Sequence, residues 1–484
     1  MTRELKRVSI VVALMFVALF VSSTTIQFFQ APSLADNPRN ARTIYASYDV
    51  QRGSILVGGA PIAESVPSAD EYKYQRVYPN GPLYSAVTGY YTLGQGSTGI
   101  EQSLNDYLSG TSSSQFLDYL NRIITGQNPQ GASVSLTIDP VAQQAAYDAL
   151  GDLQGAVVAI EPSTGRILAM VSKPDYDPNT LAVHDTKTVD DTYNALLQAS
   201  GDPLINKTIN DLNPPGSTFK IVTTAAALQN AGLPVDHTEP NVARYQLPGS
   251  SNTVSNAGGG TCGGGDQVSI ATAFILSCNI PMAELGVEMG DKNLGDMANA
   301  FGFNKELTVP MDVTASQFPN TAGDDAQLAL QSFGQGSDTA TPLQIAMLSA
   351  AVANGGKIMT PNLVDSINAP DLSPLQSFQP KEFATPMTSQ TASTISQLMV
   401  EAVQSGAATN ARIDGTSVAG KTGTAENGDG DPYTLWFTGY APADNPQIAV
   451  AVVVENGGGQ GQSGTGNSLA APIAKQVLEA VLNK

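Results

Sequence analysis

A serine and a lysine stand three residues apart in the segment PPGSTFK, residues 214–220. Two prolines and a glycine stop the preceding chain, and the run that follows predicts a helix over residues 217–232. Because positions i and i+3 share a helix face, Lys220 is expected to lie over Ser217. A neutral, desolvated lysine is a base able to activate a serine nucleophile, and free N–H groups at a helix start favour developing negative charge. The alternative is a serine N-cap beside an unrelated lysine.

A second segment, VAGKTGTAE at residues 418–426, carries a lysine and two hydroxyls around a glycine. It predicts a strand at a sheet edge, where Lys421, Thr422 and Thr424 could bind a substrate carboxylate. Gly423 lies between the two threonines, where a backbone N–H could point at a carbonyl oxygen. An edge lysine that only opposes aggregation is the alternative. Paired with an upstream S-x-x-K, the segment favours catalysis.

A third candidate is the tripeptide S-x-N, which occurs four times, beginning at Ser103, Ser250, Ser277 and Ser366. The copy at Ser277 follows a predicted helix and lies between the other two motifs. Its serine could relay a proton, and Asn279 could make an amide contact.

Apolar runs predict the elements that position these residues. Residues 155–172 form two strands around a Pro-Ser-Thr-Gly turn, and residues 433–457 contain two more strands. Helices are predicted within 271–290 (one helix, a loop, then another), 343–356 and 468–484. Strands at both ends with helices between them predict an α+β fold, an antiparallel sheet flanked by helices.

The amino terminus predicts a membrane anchor. The basic segment MTRELKR precedes residues 8–29, which carry no charge. As a helix this stretch rises about 33 Å, enough to span a bilayer core. The positive-inside rule then puts residues 1–7 in the cytoplasm and the rest outside. A cleaved signal peptide, with SLA at 33–35, is the alternative, but the apolar stretch is longer than usual for a signal.

Three further segments follow the anchor. Residues 30–44 predict a linker, residues 45–145 a small β-rich module, and residues 146–484 the catalytic domain. Within the module, the runs SILVGGAPIAES and LYSAVTGYYTLG are strand-like, and STGIEQSLNDYLSG (97–110) predicts a short helix. The glycine-rich segments 426–432 and 455–467 are typical of mobile surface turns, although lids beside a cleft have the same composition.

Composition excludes some function classes. A formal net charge of −20 argues against a nucleic-acid partner. His184 and His237 are isolated in the sequence, so no metal site is expected. Cys262 and Cys278 lie 16 residues apart in a chain predicted to be extracytoplasmic, where a disulfide is slightly favoured over two free thiols.

Together, S-x-x-K, S-x-N and K-T-G in this order resemble the penicillin-binding protein and serine β-lactamase superfamily. Further segments resemble class B penicillin-binding proteins, which are membrane-anchored peptidoglycan transpeptidases, and most of all the actinobacterial PbpA group. The segments that carry this likeness are VQRGSIL (50–56), GIEQSL (99–104), GAVVAIEPSTGRILAMVSKPDYDPN (155–179) and FGQGSDTATPLQIAMLSAAVANGG (333–356). The likeness as a whole covers residues 50–484.

The resemblance implies the penicillin-binding fold, preceded by a pedestal module and a transmembrane helix, and a two-step acyl transfer. Ser217 attacks the bond between two terminal D-alanines, Lys220 takes its proton, and Ser277 with Lys421 passes a proton to the leaving amine. The N–H groups of Ser217 and Thr424 form the oxyanion hole. The donor carboxylate binds to Lys421, Thr422 and Thr424. No metal or organic cofactor is implied, and β-lactams are expected to trap the acyl-enzyme.

The implied partners are peptidoglycan stem peptides, lipid-linked precursors, a membrane-embedded glycan polymerase and division proteins. A β-lactamase would need a group that activates a deacylating water, and none is visible. A β-lactam sensor-transducer would normally carry additional membrane spans. A D,D-carboxypeptidase is barely distinguished by sequence, and a division-complex scaffold is disfavoured because the three motifs are intact. A cysteine at the centre of S-x-N departs from the usual family pattern, and a disulfide there would tether this loop to residues 256–266.

Overall fold

A long apolar helix opens the chain. The computed structural model describes residues 2–30, 34, 48–115 and 130–483. Helix α1 spans Thr2–Thr24 and continues as a π-helical turn, Thr25–Phe29. An 18-residue window of this helix has a mean hydropathy of 2.3 and is 0% buried within the protein. Its length and composition suit a membrane anchor. Apart from Gln30 and Leu34, the predicted linker lies outside the described residues.

The N-terminal module is built around a mixed sheet with short helices. Its own strands are β1 (Ile55–Val57), β2 (Ala60–Pro67), β3 (Tyr74–Val77), the short pair β4 (Tyr91–Thr92) and β5 (Gly96–Ser97), and β6 (Ser133–Leu136). Its described helices are α2 (Gly81–Thr88), α3 (Gly99–Ser103) and α4 (Asn105–Leu108). Two short helices therefore replace the single one predicted after residue 97.

The strand-like interpretation of LYSAVTGYYTLG was wrong for its first half, which forms α2. Pro82 lies in the first turn of α2, where its fixed φ suits a helix. Tyr84 and Val87 lie one helical turn apart and are both buried in the core. Tertiary burial of one helix face therefore outweighs the strand propensity of the β-branched and aromatic residues.

The sheet of this module is completed by distant sequence. Its strand order is β17-β16-β6-β1-β2-β3, where β16 is Val364–Asn368 and β17 is Pro374–Ser377. Strand β6 pairs in parallel with β1 and antiparallel with β16. The N-terminal module and the C-terminal part of the chain therefore share one hydrogen-bonded sheet.

A buried ion network joins two segments of the N-terminal module. Glu101 is 0% exposed and accepts hydrogen bonds from Arg52 Nε at 2.5 Å and Arg76 Nε at 2.6 Å. Because two cations face one buried carboxylate, Glu101 stays ionised and its pKa is lowered despite burial, which alone would raise it. The network connects VQRGSIL with GIEQSL, two of the segments that carried the family resemblance.

The part of the chain after residue 150 contains a five-stranded sheet with the order β19-β20-β21-β7-β8, and every pairing in it is antiparallel. Its strands are β7 (Gly155–Ile160), β8 (Ile167–Lys173), β19 (Ala419–Ala425), β20 (Thr434–Ala441) and β21 (Ile448–Val454). This confirms the predicted hairpin, the two later strands and the α+β class.

Helices cover both faces of this sheet. Alternate residues of β21 enter different cores, with Ala451 in one and Val452 in the other. Helix α12 (Pro342–Ala353) packs on one face, and α5 (Pro140–Leu150) and α14 (Ala471–Leu482) pack on the other. Helix α5 crosses the domain boundary predicted at residue 145.

The remaining helices lie between β8 and β19 along the chain. They are α6 (Thr186–Gln198), α7 (Lys207–Asn210), α8 (Lys220–Ala225), α9 (Ile270–Ile275), α10 (Ile280–Ala300), α11 (Asp325–Gln331) and α13 (Ser389–Gln404). Short strand pairs connect them: β9 (Thr238–Pro240) with β12 (Gln267–Ser269), β10 (Tyr245–Gln246) with β11 (Thr253–Val254), β13 (Leu307–Thr308) with β14 (Asp312–Val313), and β15 (Ile358–Met359) with β18 (Glu382–Ala384). The predicted helix–loop–helix at 271–290 is confirmed as α9 and α10.

Candidate active site

Ser217 lies in a 3-10 turn, Gly216–Phe219, directly before α8. The backbone of Gly216 has φ +52°, and a β-carbon there would lie 3.1 Å from Thr424 O. Glycine therefore allows the serine turn to approach strand β19 closely. Ser217 is 8% exposed, so its hydroxyl sits in a largely enclosed position.

Neighbouring segments hold this turn from two sides. Gly216 N donates to Gly334 O at 2.8 Å, and Trp436 Nε1 donates to Pro214 O at 2.9 Å. Gly334 is itself required, because a β-carbon at that position would lie 2.0 Å from Gly216 O. The serine turn is thus fixed by the loop after α11 and by strand β20.

Lys220 is the first residue of α8 and is 0% exposed. Its Nζ donates to Ser277 O at 2.7 Å and to Asn279 Oδ1 at 2.8 Å. Burial, and then the positive charge of Lys421, holds the pKa of Lys220 well below the usual range for a lysine. A lysine in this environment is poised to act as a base.

Ser277 and Lys421 form a second contact. Lys421 Nζ donates to Ser277 Oγ at 2.6 Å and to Thr422 O at 3.0 Å. Ser277 has φ +61°, a strained backbone for a serine, in the turn between α9 and α10. Burial lowers the pKa of Lys421 to about 7. Tertiary folding therefore brings the three predicted motifs into one hydrogen-bonded cluster.

Neither lysine of the cluster forms an ion pair with any residue that the structure describes. Protonation of both buried amines is energetically unfavourable, because no counter-charge is near. Each ammonium group would be desolvated and would repel the other. This electrostatic arrangement favours a neutral Lys220 able to accept a proton from a nearby hydroxyl. In the resting structure its amine points to Ser277 and Asn279, and no hydrogen bond between Lys220 Nζ and Ser217 Oγ is present among the described residues.

The K-T-G segment lies on β19, which is an edge strand of the five-stranded sheet. Thr422 Oγ1 donates to Ala407 O at 3.2 Å. Gly423 packs closely on the serine turn, because a β-carbon there would lie 3.1 Å from Pro215 O. Strand β19 packs against the turn that holds Ser217.

A loop that sequence patterns did not implicate supports this strand. Gly466 N donates to Thr424 Oγ1 at 3.3 Å, and a β-carbon on Gly466 would lie 2.4 Å from Gly423 O. Asn467 binds Asn410 through a hydrogen bond of 3.0 Å from Asn410 N. The end of the glycine-rich segment 455–467 is therefore packed against the site. Its glycine-rich composition alone carried no signal of this contact.

The segment before S-x-N is tied to it covalently. Cys262 and Cys278 form a disulfide with Cα atoms 5.9 Å apart. Asn241 Nδ2 donates to Cys262 O at 3.0 Å, and its Oδ1 accepts from Cys262 N at 2.7 Å. The loop 255–265 is thus anchored on both sides next to Ser277.

A cluster of metal-ligand residue types lies away from these motifs. His237, Glu239 and Glu288 each place one donor atom within 4.8 Å of the others. Burial and the nearby Glu288 raise the pKa of Glu239 to about 8, so Glu239 carries a proton at neutral pH. Protonated Glu239 and ionised Glu288 then form a carboxyl–carboxylate pair beside His237, and their proximity does not require a bound cation. His184 also has a carboxylate neighbour, with Nδ1 2.5 Å from Asp70 Oδ2, so both histidines, isolated in the sequence, meet carboxylates in the folded chain.

Comparison with known proteins agrees with this architecture. The penicillin binding protein transpeptidase domain family matches residues 155–479, and the penicillin binding protein A dimerisation domain family matches residues 52–134. The peptidoglycan D,D-transpeptidase PbpA of Mycolicibacterium smegmatis is 41% identical over 100% of both chains. Its namesake from Mycobacterium tuberculosis is 40% identical, covering 100% of this chain and 99% of the relative.

Solved structures give the same result. A ceftriaxone acyl-enzyme complex of penicillin-binding protein A from M. tuberculosis superposes with a TM-score of 0.87 at 40% identity, covering 90% of this chain and 100% of that one. A crystal structure of the same protein gives a TM-score of 0.86 with the same coverage. The fold and the cluster around Ser217 define a serine acyl-transfer enzyme. The chain belongs to the class B penicillin-binding protein transpeptidases, within the group of the mycobacterial PbpA proteins.

Proposed function

We propose that this chain crosslinks peptidoglycan as a serine D,D-transpeptidase. The observation that carries the proposal is the contact of two buried lysines with Ser277 and Asn279 beside the turn that holds Ser217. The base and the proton relay are joined by these hydrogen bonds, and the nucleophile lies one turn before Lys220 in the chain.

In the first half-reaction, Ser217 Oγ attacks the carbonyl between the two terminal D-alanines of a stem peptide. Neutral Lys220 takes the hydroxyl proton, and the N–H groups of Ser217 and Thr424 stabilise the tetrahedral oxyanion. Lys421, Thr422 and Thr424 bind the terminal carboxylate. The carbon–nitrogen bond breaks, and the leaving amine receives the proton that Lys220 took, passed on through Ser277 and Lys421. D-Alanine departs and Lys220 is neutral again.

In the second half-reaction, an amine of a neighbouring stem peptide attacks the ester carbonyl of the acyl-enzyme. It loses a proton to Lys220, which returns this proton to Ser217 Oγ as the ester bond breaks and the hydroxyl is regenerated. A β-lactam enters the first half-reaction in place of the donor, but its ring opens without releasing a fragment from the site. The acyl-enzyme then persists.

The apolar helix α1 supports a single-pass membrane location, with residues 1–7 in the cytoplasm and the catalytic part outside. Lipid-linked peptidoglycan precursors are then within reach at the membrane surface. The stem peptides to be crosslinked are carried on polymerised glycan, whereas the motifs of this chain serve acyl transfer. A membrane-embedded glycan polymerase is therefore the expected partner. Division proteins are the remaining expected partners.

The test is covalent labelling of the purified extracytoplasmic chain with a fluorescent penicillin, followed over hours. We expect a stable adduct that disappears in Ser217→Ala and persists in the matched control Ser250→Ala, which alters another S-x-N copy. Rapid loss of label with hydrolysed drug would indicate a β-lactamase. Absence of label on folded protein would contradict the proposal and leave a scaffold role.

A second measurement separates transpeptidation from carboxypeptidation. A stem-peptide donor is incubated with increasing concentrations of an amine acceptor, and crosslinked product is quantified beside released D-alanine. A transpeptidase is expected to divert acyl groups from water to the amine as the acceptor concentration rises. D-Alanine release with no crosslinked product at any acceptor concentration would indicate a carboxypeptidase.

A further inference from the structure

Asn279 stands at the N-cap of α10 but does not cap it. An asparagine at this position ordinarily accepts a hydrogen bond from the N–H of the second or third helical residue. Here the second residue is Pro281, which has no N–H, and no side-chain capping bond from Asn279 is present in this helix. The Asn279 side chain is instead engaged elsewhere, with Oδ1 accepting from Lys220 Nζ at 2.8 Å and Nδ2 donating to Ser255 O at 3.2 Å.

Another residue supplies the missing cap from a different segment. Asn256 Oδ1 accepts from Asn279 N at 2.9 Å and from Ile280 N at 3.0 Å. Its Nδ2 donates to Gly260 O at 3.0 Å, which fixes the orientation of the amide. Asn256 is only 6% exposed, so these hydrogen bonds are shielded from water. An unpaired N–H group in such a buried position would be destabilising.

We propose that Asn256 is a positioning residue of the acyl-transfer site. By capping α10 from the loop 255–265, it frees the carboxamide of Asn279 to hold the amine of Lys220. The inference rests on the proposed function, because acylation of Ser217 is the reaction it serves. Asn256 acts through Asn279 and Lys220, since none of its hydrogen bonds reaches Ser217.

The consequence of losing the cap follows from hydrogen-bond competition. Without Asn256, the N–H groups of Asn279 and Ile280 lose their acceptor, and the carboxamide of Asn279 is the side-chain acceptor at the N-cap of the same helix. Rotation of this side chain toward the helix removes one of the two acceptors from Lys220. Because an acceptor favours the ammonium form, its loss lowers the pKa of Lys220 further and leaves the amine without a fixed direction.

The first experiment compares the rate constant of acylation by a fluorescent penicillin in three variants of the extracytoplasmic chain. Asn256→Ala is expected to be slowed about 10-fold. Asn256→Asp keeps an acceptor oxygen at a helix N-terminus and is expected to stay within about threefold of the unaltered chain. The control is Asn179→Ala, because Asn179 makes a similar pair of backbone bonds to Tyr78 in the N-terminal module. An unaltered rate in Asn256→Ala would overturn the inference.

A double-mutant cycle with Asn279→Ala separates positioning from general support of the fold. If Asn256 acts through Asn279, then Asn256→Ala should have little further effect on the acylation rate in the Asn279→Ala background. Independent, multiplying losses would overturn the inference. Should Asn256→Ala fail to unfold cooperatively on heating, Asn256→Gln replaces it, because glutamine keeps the amide but displaces it.

The pH dependence gives a readout that a purely structural role would not move. Loss of an acceptor lowers the pKa of Lys220, so the acid limb of the acylation rate should move to lower pH in Asn256→Ala. An acid limb that stays in place or rises would contradict the inference. A different result would contradict the proposed function itself, namely that the unaltered chain is not labelled at Ser217.

Discussion

At the scale of single residues, the site depends on two lysines that are each 0% exposed and that share Ser277. Burial lowers the pKa of both, and Lys421 lowers that of Lys220 further through its positive charge. The charge of Lys421 therefore affects the protonation of Lys220 independently of any substrate. This effect can be measured.

Replacing Lys421 by methionine should raise the pKa of Lys220, because the like charge that opposes its protonation is removed. Acylation requires neutral Lys220, so the acid limb of the acylation rate should move to higher pH, although the overall rate also falls. The measurement is the rate of labelling by a fluorescent penicillin between about pH 6 and pH 10. The control is Lys292→Met, whose side chain is 86% exposed. A limb that stays or moves to lower pH would refute the expectation.

Gly466 is a single residue with no room for a side chain. A β-carbon there would lie 2.2 Å from Trp436 O and 2.4 Å from Gly423 O, and both are strand backbone atoms that cannot yield easily. We expect Gly466→Ala to displace β19 and slow acylation at least about 10-fold. Gly295→Ala is the control, with its nearest contact at an ordinary 3.9 Å. Acylation at the unaltered rate would show that the strand can adjust without cost.

At the scale of elements, the loop 255–265 positions the turn between α9 and α10. It contacts the turn through the Cys262–Cys278 disulfide and through Asn256. The turn contributes Ser277 to both lysines of the cluster. The loop is therefore a structural support of the catalytic cluster, although it contributes no predicted catalytic residue.

Reducing the Cys262–Cys278 bond should lower the acylation rate more than the overall stability. On the loop-entropy model the bond contributes about 3 kcal/mol, a shift of several degrees in the unfolding temperature of a large domain. The acylation rate should fall by more than about 150-fold, the factor equivalent to about 3 kcal/mol, because the Ser277 turn loses its covalent anchor. Labelling and thermal unfolding are compared with and without reductant. The variant with both cysteines replaced by serine is the control and should not respond to reductant.

At the scale of the whole molecule, the two modules are joined by more than a linker. Strand β6 of the N-terminal module pairs with β16, which lies more than two hundred residues later in the chain. The two modules also meet elsewhere, for example where the Asn206 side chain donates from Nδ2 to the backbone carbonyl of Ala86 at 2.7 Å. The catalytic half therefore contains strands whose hydrogen-bonding partners are in the other half.

Deleting residues 31–138 while keeping the anchor should prevent stable folding. Strand β16 would lose its pairing with β6, and Ile367, which is 1% exposed, would lose its cover. We expect aggregation on size-exclusion chromatography and no labelling by a fluorescent penicillin. Removal of residues 1–30 alone is the control and should leave labelling intact. A monomeric, labelled deletion variant would show that the catalytic half folds by itself.

Local sequence determined much of this protein. The apolar length of α1, the hairpin of β7 and β8, the helices around the motifs and the edge strand carrying Lys421 all follow from short-range patterns of residues. These features depend on periodicity and turn chemistry, which act over a few residues. The motif spacing also indicated the family to which the chain belongs.

Only the tertiary structure decided the remaining features. The helix at Gly81–Thr88, the completion of the N-terminal sheet by residues 364–377, and the packing of Gly466 on β19 depend on segments far apart in sequence. The capping of α10 by Asn256 is of the same kind, because its partners lie 23 and 24 residues away. Hydrogen bonds and burial between distant segments have no fixed spacing along the chain, so no local pattern encodes them.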